Sequence, residues 1–315
     1  MGNRSGVLLL LPFLIAAYVL IAIFSRYHLP SEVGHFGFWK LPIEETFLGS
    51  TILSTLLVFV NALLLNGIYN RNGFQEKNTY LPALLYVVFQ SFFHSFYFLT
   101  GLGIATTLLI LAFWQLLKLD QNTDGRKAVF NASILLGVSA TFYPLLLVSI
   151  PFLFGMIWIL RPFVLRESAL AIIGFVIPLI YVGVYRWVMG IALDNDELSS
   201  ASSEWKLLDM YVAAGAMVLI VFAGLRALFN KINQSSIRLK KIFRINTMLL
   251  TLFAIITLLE ITTYKKVEAG SLGLIPLLFL ITYGFGSKNP APFNAFVFYL
   301  LCAFSVGKFF IPFHL

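Results

Sequence analysis

The sequence predicts an all-α fold: a polytopic transmembrane helical bundle of about eleven spans, forming one integral membrane domain over residues 1–315. Three observations predict it. The first is composition. Of 315 residues 59% are hydrophobic and 11% charged, with a mean hydropathy of +0.89, whereas soluble chains carry about 25% charged residues. A soluble domain of this length could not enclose so much apolar surface, but lipid solvates it. The second is run length. The apolar residues come in stretches of about 16–21, enough to cross a roughly 30 Å hydrocarbon core as helices. Barrel strands would need strict alternation over about ten residues, and these runs do not alternate. The third is the sorting of charge between successive loops, taken up below.

The first run, 6–25, follows Arg4. It exceeds the roughly 7–15 residues of a signal-peptide core, and Ser25-Arg26-Tyr27-His28 offers no small-x-small cleavage site. It is expected to be a retained first span. The other runs are 50–69, 80–98, 101–117, 129–143, 145–160, 168–188, 210–229, 245–263, 271–286 and 292–311. Gly101-Leu102-Gly103 is expected to turn a tight hairpin between the third and fourth spans. Tyr143-Pro144 is expected to divide the fifth from the sixth, because proline cannot continue the helical hydrogen-bond ladder. One long kinked helix is the alternative there.

Charge arbitrates between those two. With the amino terminus inside and eleven spans, inner loops hold fifteen of the 22 basic residues, and the carboxy terminus lies outside. Merging 129–143 with 145–160 would carry the cluster from Arg226 to Arg244 outside, against the positive-inside tendency. Nine acidic residues fall outside and four inside. The formal net charge of +8 is therefore a topology signal, with attraction to anionic headgroups on the inner face; it does not point to nucleic acid. The longest excursions are outer loops 26–49 and 189–209 and the basic inner loop 230–244. A single cysteine, Cys302, excludes a disulfide framework within one chain.

Outer loop one gathers Glu32, Glu44 and Glu45 with His28 and His35 among aromatic residues. Carboxylates and imidazoles serve both general-base catalysis and metal binding. No ligand spacing in the loop matches a metal motif, and a solvated loop resting on the headgroups accounts for the same residues. Glu260 is the acidic residue deep in an apolar run, a position that usually faces a cavity or a partner. Lying about one turn from the outer end of its span, it could instead snorkel, or pair with Lys265 or Lys266. His94, in Ser91-Phe92-Phe93-His94-Ser95, reads as a hydrogen-bonded interior histidine. Arg238, Lys240, Lys241 and Arg244 alternate with apolar residues at helical spacing and read as an interfacial segment binding anionic lipid or a partner. Asn66 to Asn78 is amide-rich and reads as a turn. Phosphate loops, catalytic triads, dinucleotide fingerprints and zinc signatures are absent from the sequence, so no cofactor or metal is expected.

Asn66, Asn70-Arg71-Asn72, Lys77-Asn78 and Tyr143-Pro144, set in this span pattern, resemble a family of uncharacterised inner-membrane proteins of Bacteroidota. That resemblance implies a Gram-negative inner membrane. Segment 129–188 is more distantly similar to the membrane core of C-type glycosyltransferases, which use polyprenyl-phosphate sugars. It runs Asn131 to Gly137, then two short spans broken at Tyr143-Pro144, then Arg161-Pro162-Phe163, then a span with Gly174 and Pro178. Those enzymes carry an acidic catalytic residue in outer loop one, for which Glu32, Glu44 or Glu45 would stand in; this loop has no aspartate. Since fold alone does not establish chemistry, the leading expectation is a non-catalytic subunit or scaffold among other membrane proteins in an envelope-biogenesis or export assembly. Lipid-linked sugar transfer at the outer face is the alternative, and solute transport a weaker one.

Overall fold

Backbone N–H and C=O groups have no water to pair with in hydrocarbon, so a chain crossing it must satisfy them internally. The computed structural model describes residues 6–24, 36–39, 47–74, 78–119, 124–191, 236–264, 266–285, 296, 299, 302–303 and 305–307. Among these the regular elements are helices, and a single bridge pairs Phe36 with Trp39. The helices are α1 (Gly6–Phe24), α2 (Phe47–Arg71), α3 (Leu81–Gln90), α4 (Gly101–Leu116), α5 (Arg126–Phe142), α6 (Ile150–Leu160), α7 (Leu165–Met189), α8 (Ile237–Tyr264) and α9 (Leu274–Phe285), with 3-10 turns at His94–Phe96, Pro144–Ser149 and Glu268–Gly273. Three stretches among the described residues are long and apolar enough to cross a membrane: Leu48–Arg71, Leu165–Met189 and Ile237–Tyr264.

Helix direction follows from which ends touch. Gly125, just before α5, is pressed against the Arg161 guanidinium just after α6, so the chain leaves along α5 and comes back through 144–160. The turn is where Tyr143-Pro144 is expected to break the helix: Tyr143 has φ −138° and ψ 93°, and a 3-10 turn begins at Pro144. α7 then runs parallel to α5. Glu167 sits by Gly125, Gly174 against Ser133, and Gly137 against the Phe175 carbonyl. Small residues let the two backbones approach, the usual device where lipid supplies no hydrophobic drive between helices. α8 runs the same way, because Lys241 Nζ donates to the Leu160 carbonyl at one end (2.9 Å) and Tyr143 meets Glu260 at the other. α4 runs opposite, with Ser139 Oγ on α5 donating to the Ala105 carbonyl at 3.3 Å. At the Arg161 end, an ion pair of 3.1 Å joins Arg161 to Glu167, both largely buried.

Two local expectations are corrected. Gly101-Leu102-Gly103 does not form a hairpin; these residues open α4, whose N-cap Thr100 accepts the Gly103 N–H at 3.1 Å. Nor is 80–98 one helix. α3 stops at Gln90, where Ser91 Oγ turns back onto the Val88 carbonyl at 2.7 Å. Short polar side chains compete in this way for backbone partners. The connection from α3 to α4 is the stretch 91–100, in which Ser91, Phe93, Ser95, Phe96, Tyr97, Leu99 and Thr100 are all buried. The third α-helical element is thus only ten residues, about 15 Å of helix, with irregular backbone packed inside protein.

Candidate functional site

Three helix interruptions meet at one end of the bundle, and carboxylates hold them together. Along α8, Leu249, Leu252, Phe253, Ile256 and Glu260 all face inward, at the spacing of three and four that keeps residues on one side of a helix. Glu260 therefore occupies a core position, fully enclosed at 0% exposure. Its Oε1 accepts from Tyr143 Oη at 2.9 Å, and its Oε2 accepts the Ala269 N–H at 2.7 Å. It does not snorkel. The core position leaves the side chain no route to the surface, and two donors inside the protein replace water. Hydrogen bonds to a charged group are worth about 1.5–3 kcal/mol each, enough to offset much of the several-kcal/mol penalty for enclosing a carboxylate.

Glu268 opens the turn that Glu260 holds. It is 4% exposed, and its Oε1 accepts the backbone N–H of His94 at 3.3 Å. Lys266 lies buried in the same connection. The contacts thus run from the α5 break through Glu260 and the 268–273 turn to the α3–α4 break. Among the described residues no three metal-ligating side chains cluster.

Residues 36–39, between α1 and α2, pack against this end. Pro144 has no N–H, and the 3-10 turn leaves the last α5 carbonyls without their helical donors. The Thr141 carbonyl instead accepts the Phe38 N–H at 2.9 Å, and Thr141 Oγ1 accepts from Trp39 Nε1 at 3.0 Å. The Trp39 ring packs on Phe142 and Tyr185, and Arg186 Nη1 donates to the Phe38 carbonyl at 3.1 Å. Gly37 lies at φ +62° with its Cα against the Thr141 and Phe142 carbonyls. Only glycine suits that place: it tolerates left-handed backbone, and any Cβ would meet those oxygens.

Of the residues singled out in the sequence, Glu260 and His94 come together here through Glu268. Glu32, Glu44 and Glu45 lie outside the described residues, as does Lys265. The basic set opens α8: Arg238 and Arg244 are exposed, Lys240 and Lys241 half-buried, and Lys241 is tied to Leu160. Residues 237–244 are therefore the first two turns of the 28-residue α8 and not a separate segment. Sequence reasoning missed Tyr143, read only as a break, and Glu268, one of the nine acidic residues assigned to the outer side. No local signal pairs them, since Tyr143 and Glu260 stand 117 residues apart.

No curated protein and no solved structure matches the chain. One family profile matches residues 41–283, a range that takes in α2 to α8, most of α9 and the buried carboxylates. On that match over most of its length, the chain belongs to DUF6427, a family of unknown function.

Proposed function

We propose that the chain is an eleven-span protein of a bacterial inner membrane, amino terminus inside and carboxy terminus outside, serving as a non-catalytic partner subunit in an envelope-biogenesis or export assembly. Glu260 carries the non-catalytic part. A general acid or base has to reach a substrate proton, whereas both Glu260 oxygens are engaged by the chain's own Tyr143 and Ala269. The carboxylate fastens helix breaks to one another. The span count draws support from the return passage between the parallel α5 and α7. The sidedness draws support from Arg126, Lys127, Arg161, Arg166 and Lys241, which gather at the end opposite Tyr143.

Docking of Phe36–Trp39 on α5 favours a second reading, sugar transfer from a polyprenyl phosphate at the outer face. Phe38 and Trp39, which lie between Glu32 and Glu44 in the sequence, bond at the carboxylate end. The three helix interruptions also strengthen the transport reading, because broken helices around polar groups are a feature of carriers.

Complementation of a deletion strain tests the proposal. The triple variant Glu32→Gln, Glu44→Gln, Glu45→Gln is expected to reach normal membrane levels and to support growth and envelope glycan assembly. A catalytic carboxylate contributes about 10²–10⁴-fold, so a transferase would lose nearly all activity. Normal protein level with lost complementation and shortened surface glycan would overturn the non-catalytic reading.

A further inference from the structure

Where α4, α5 and α6 meet α8 and α9 lies an enclosed cavity. Phe113 of α4, Ala132 of α5, Met156 of α6, Leu249 and Phe253 of α8 and Ile275 of α9 line it, and the rest of its described lining is leucine and Ala112. None of these residues is more than 6% exposed. The wall is hydrocarbon, aromatic ring and one thioether, with no polar side chain among the described residues.

Space for the centre of a water-sized particle is about 20 Å³, above the about 10–15 Å³ that a single water needs. A water there would also need two to four polar partners, and the described side chains offer none. Left empty, the cavity costs its walls the dispersion contacts that close packing supplies. A small apolar molecule restores those contacts and forfeits no hydrogen bond. Cavities lined by leucine, isoleucine and phenylalanine stay dry and take such guests. The low exposure of every wall residue leaves a lipid tail no opening to thread through among the described residues. A molecule of a few atoms enters when the packing opens locally.

We infer that this cavity is dry and binds a small apolar molecule dissolved in the bilayer, of the size and chemistry of dioxygen. The site stands apart from the reading above: loss of complementation by the loop-one variant would leave it untouched.

Xenon is the probe, being small, apolar and unable to hydrogen-bond. The full-length protein in detergent, with isotope-labelled methionine methyl groups, is compared by NMR under xenon and under helium at equal pressure. Met156 lines the cavity, whereas Met189 is 61% exposed and reports xenon dissolved in the detergent. Each resonance is assigned by its loss in Met156→Leu or Met189→Leu. The Met156 methyl resonance is expected to shift under xenon and to saturate as pressure rises, while that of Met189 shifts in proportion to pressure or stays in place. Ala132→Val, which fills part of the cavity, should weaken the Met156 shift; an undiminished shift in the folded variant would put xenon elsewhere and overturn the inference. So would a Met156 resonance that stays in place or only follows pressure as Met189 does. Cross-relaxation between the Met156 methyl and a bound water would overturn it as well and give the cavity to water. The unaltered protein decides the matter even if Ala132→Val fails to fold.

Discussion

Removing the Tyr143 hydroxyl takes from Glu260 a donor that helps replace water around it. Tyr143→Phe is expected to lower stability by about 1.5–3 kcal/mol, the worth of a hydrogen bond to a charged group. Glu260→Leu should lose more, because it strands the Tyr143 hydroxyl and the Ala269 N–H together. Thermal unfolding of the solubilised protein reads both, and an unchanged midpoint for Tyr143→Phe would remove the structural role given to this pair. Glu260 was legible in the sequence as an acid within an apolar run. Its bonds to Tyr143 and Ala269 were not, since Tyr143 is 117 residues distant and Ala269 gives a backbone N–H that carries no sequence signature. Gly37 was illegible for a similar reason: its need for φ +62° arises only when the loop docks on α5.

Helix contacts depend on what each glycine faces. A side chain at Gly137 would strike the Phe175 backbone carbonyl, whereas one at Gly155 would meet the flexible end of Met248. Gly137→Ala is accordingly expected to cost about 1–3 kcal/mol, the range for overpacking, and Gly155→Ala clearly less. Equal effects would mean that α5 and α7 do not pack at this distance. At the start of α8, exchanging Arg238, Lys240, Lys241 and Arg244 for glutamine removes about 1 kcal/mol of attraction per base at an anionic surface. Mass spectrometry of lipids retained through purification should then show less anionic lipid than the unaltered protein keeps. The apolar runs located α1, α2, α7 and α8 to within a few residues at most ends, because long uniform stretches admit only helix in hydrocarbon. The end of α3 and the role of Gly101 escaped. There, serine and threonine side chains settle the backbone, and hydropathy does not register their hydrogen bonds.

The molecule as a whole is arranged around the parallel pair α5 and α7 and the passage that returns between them. Proline at 144 and the basic loops already implied that passage, although a kinked single helix fitted the same residues. Contact between Gly125 and Arg161 is what distinguishes the two arrangements inside the bundle, and it depends on folding that no run of letters displays. The most direct test is cysteine labelling in intact cells, with Cys302 first replaced by alanine and one exposed position changed at a time. Lys127→Cys and Arg166→Cys should react only with reagents that cross the inner membrane, and Met189→Cys should react with an impermeant one. Lys127→Cys and Arg166→Cys reporting opposite sides would make 126–160 a single crossing and contradict the eleven-span arrangement.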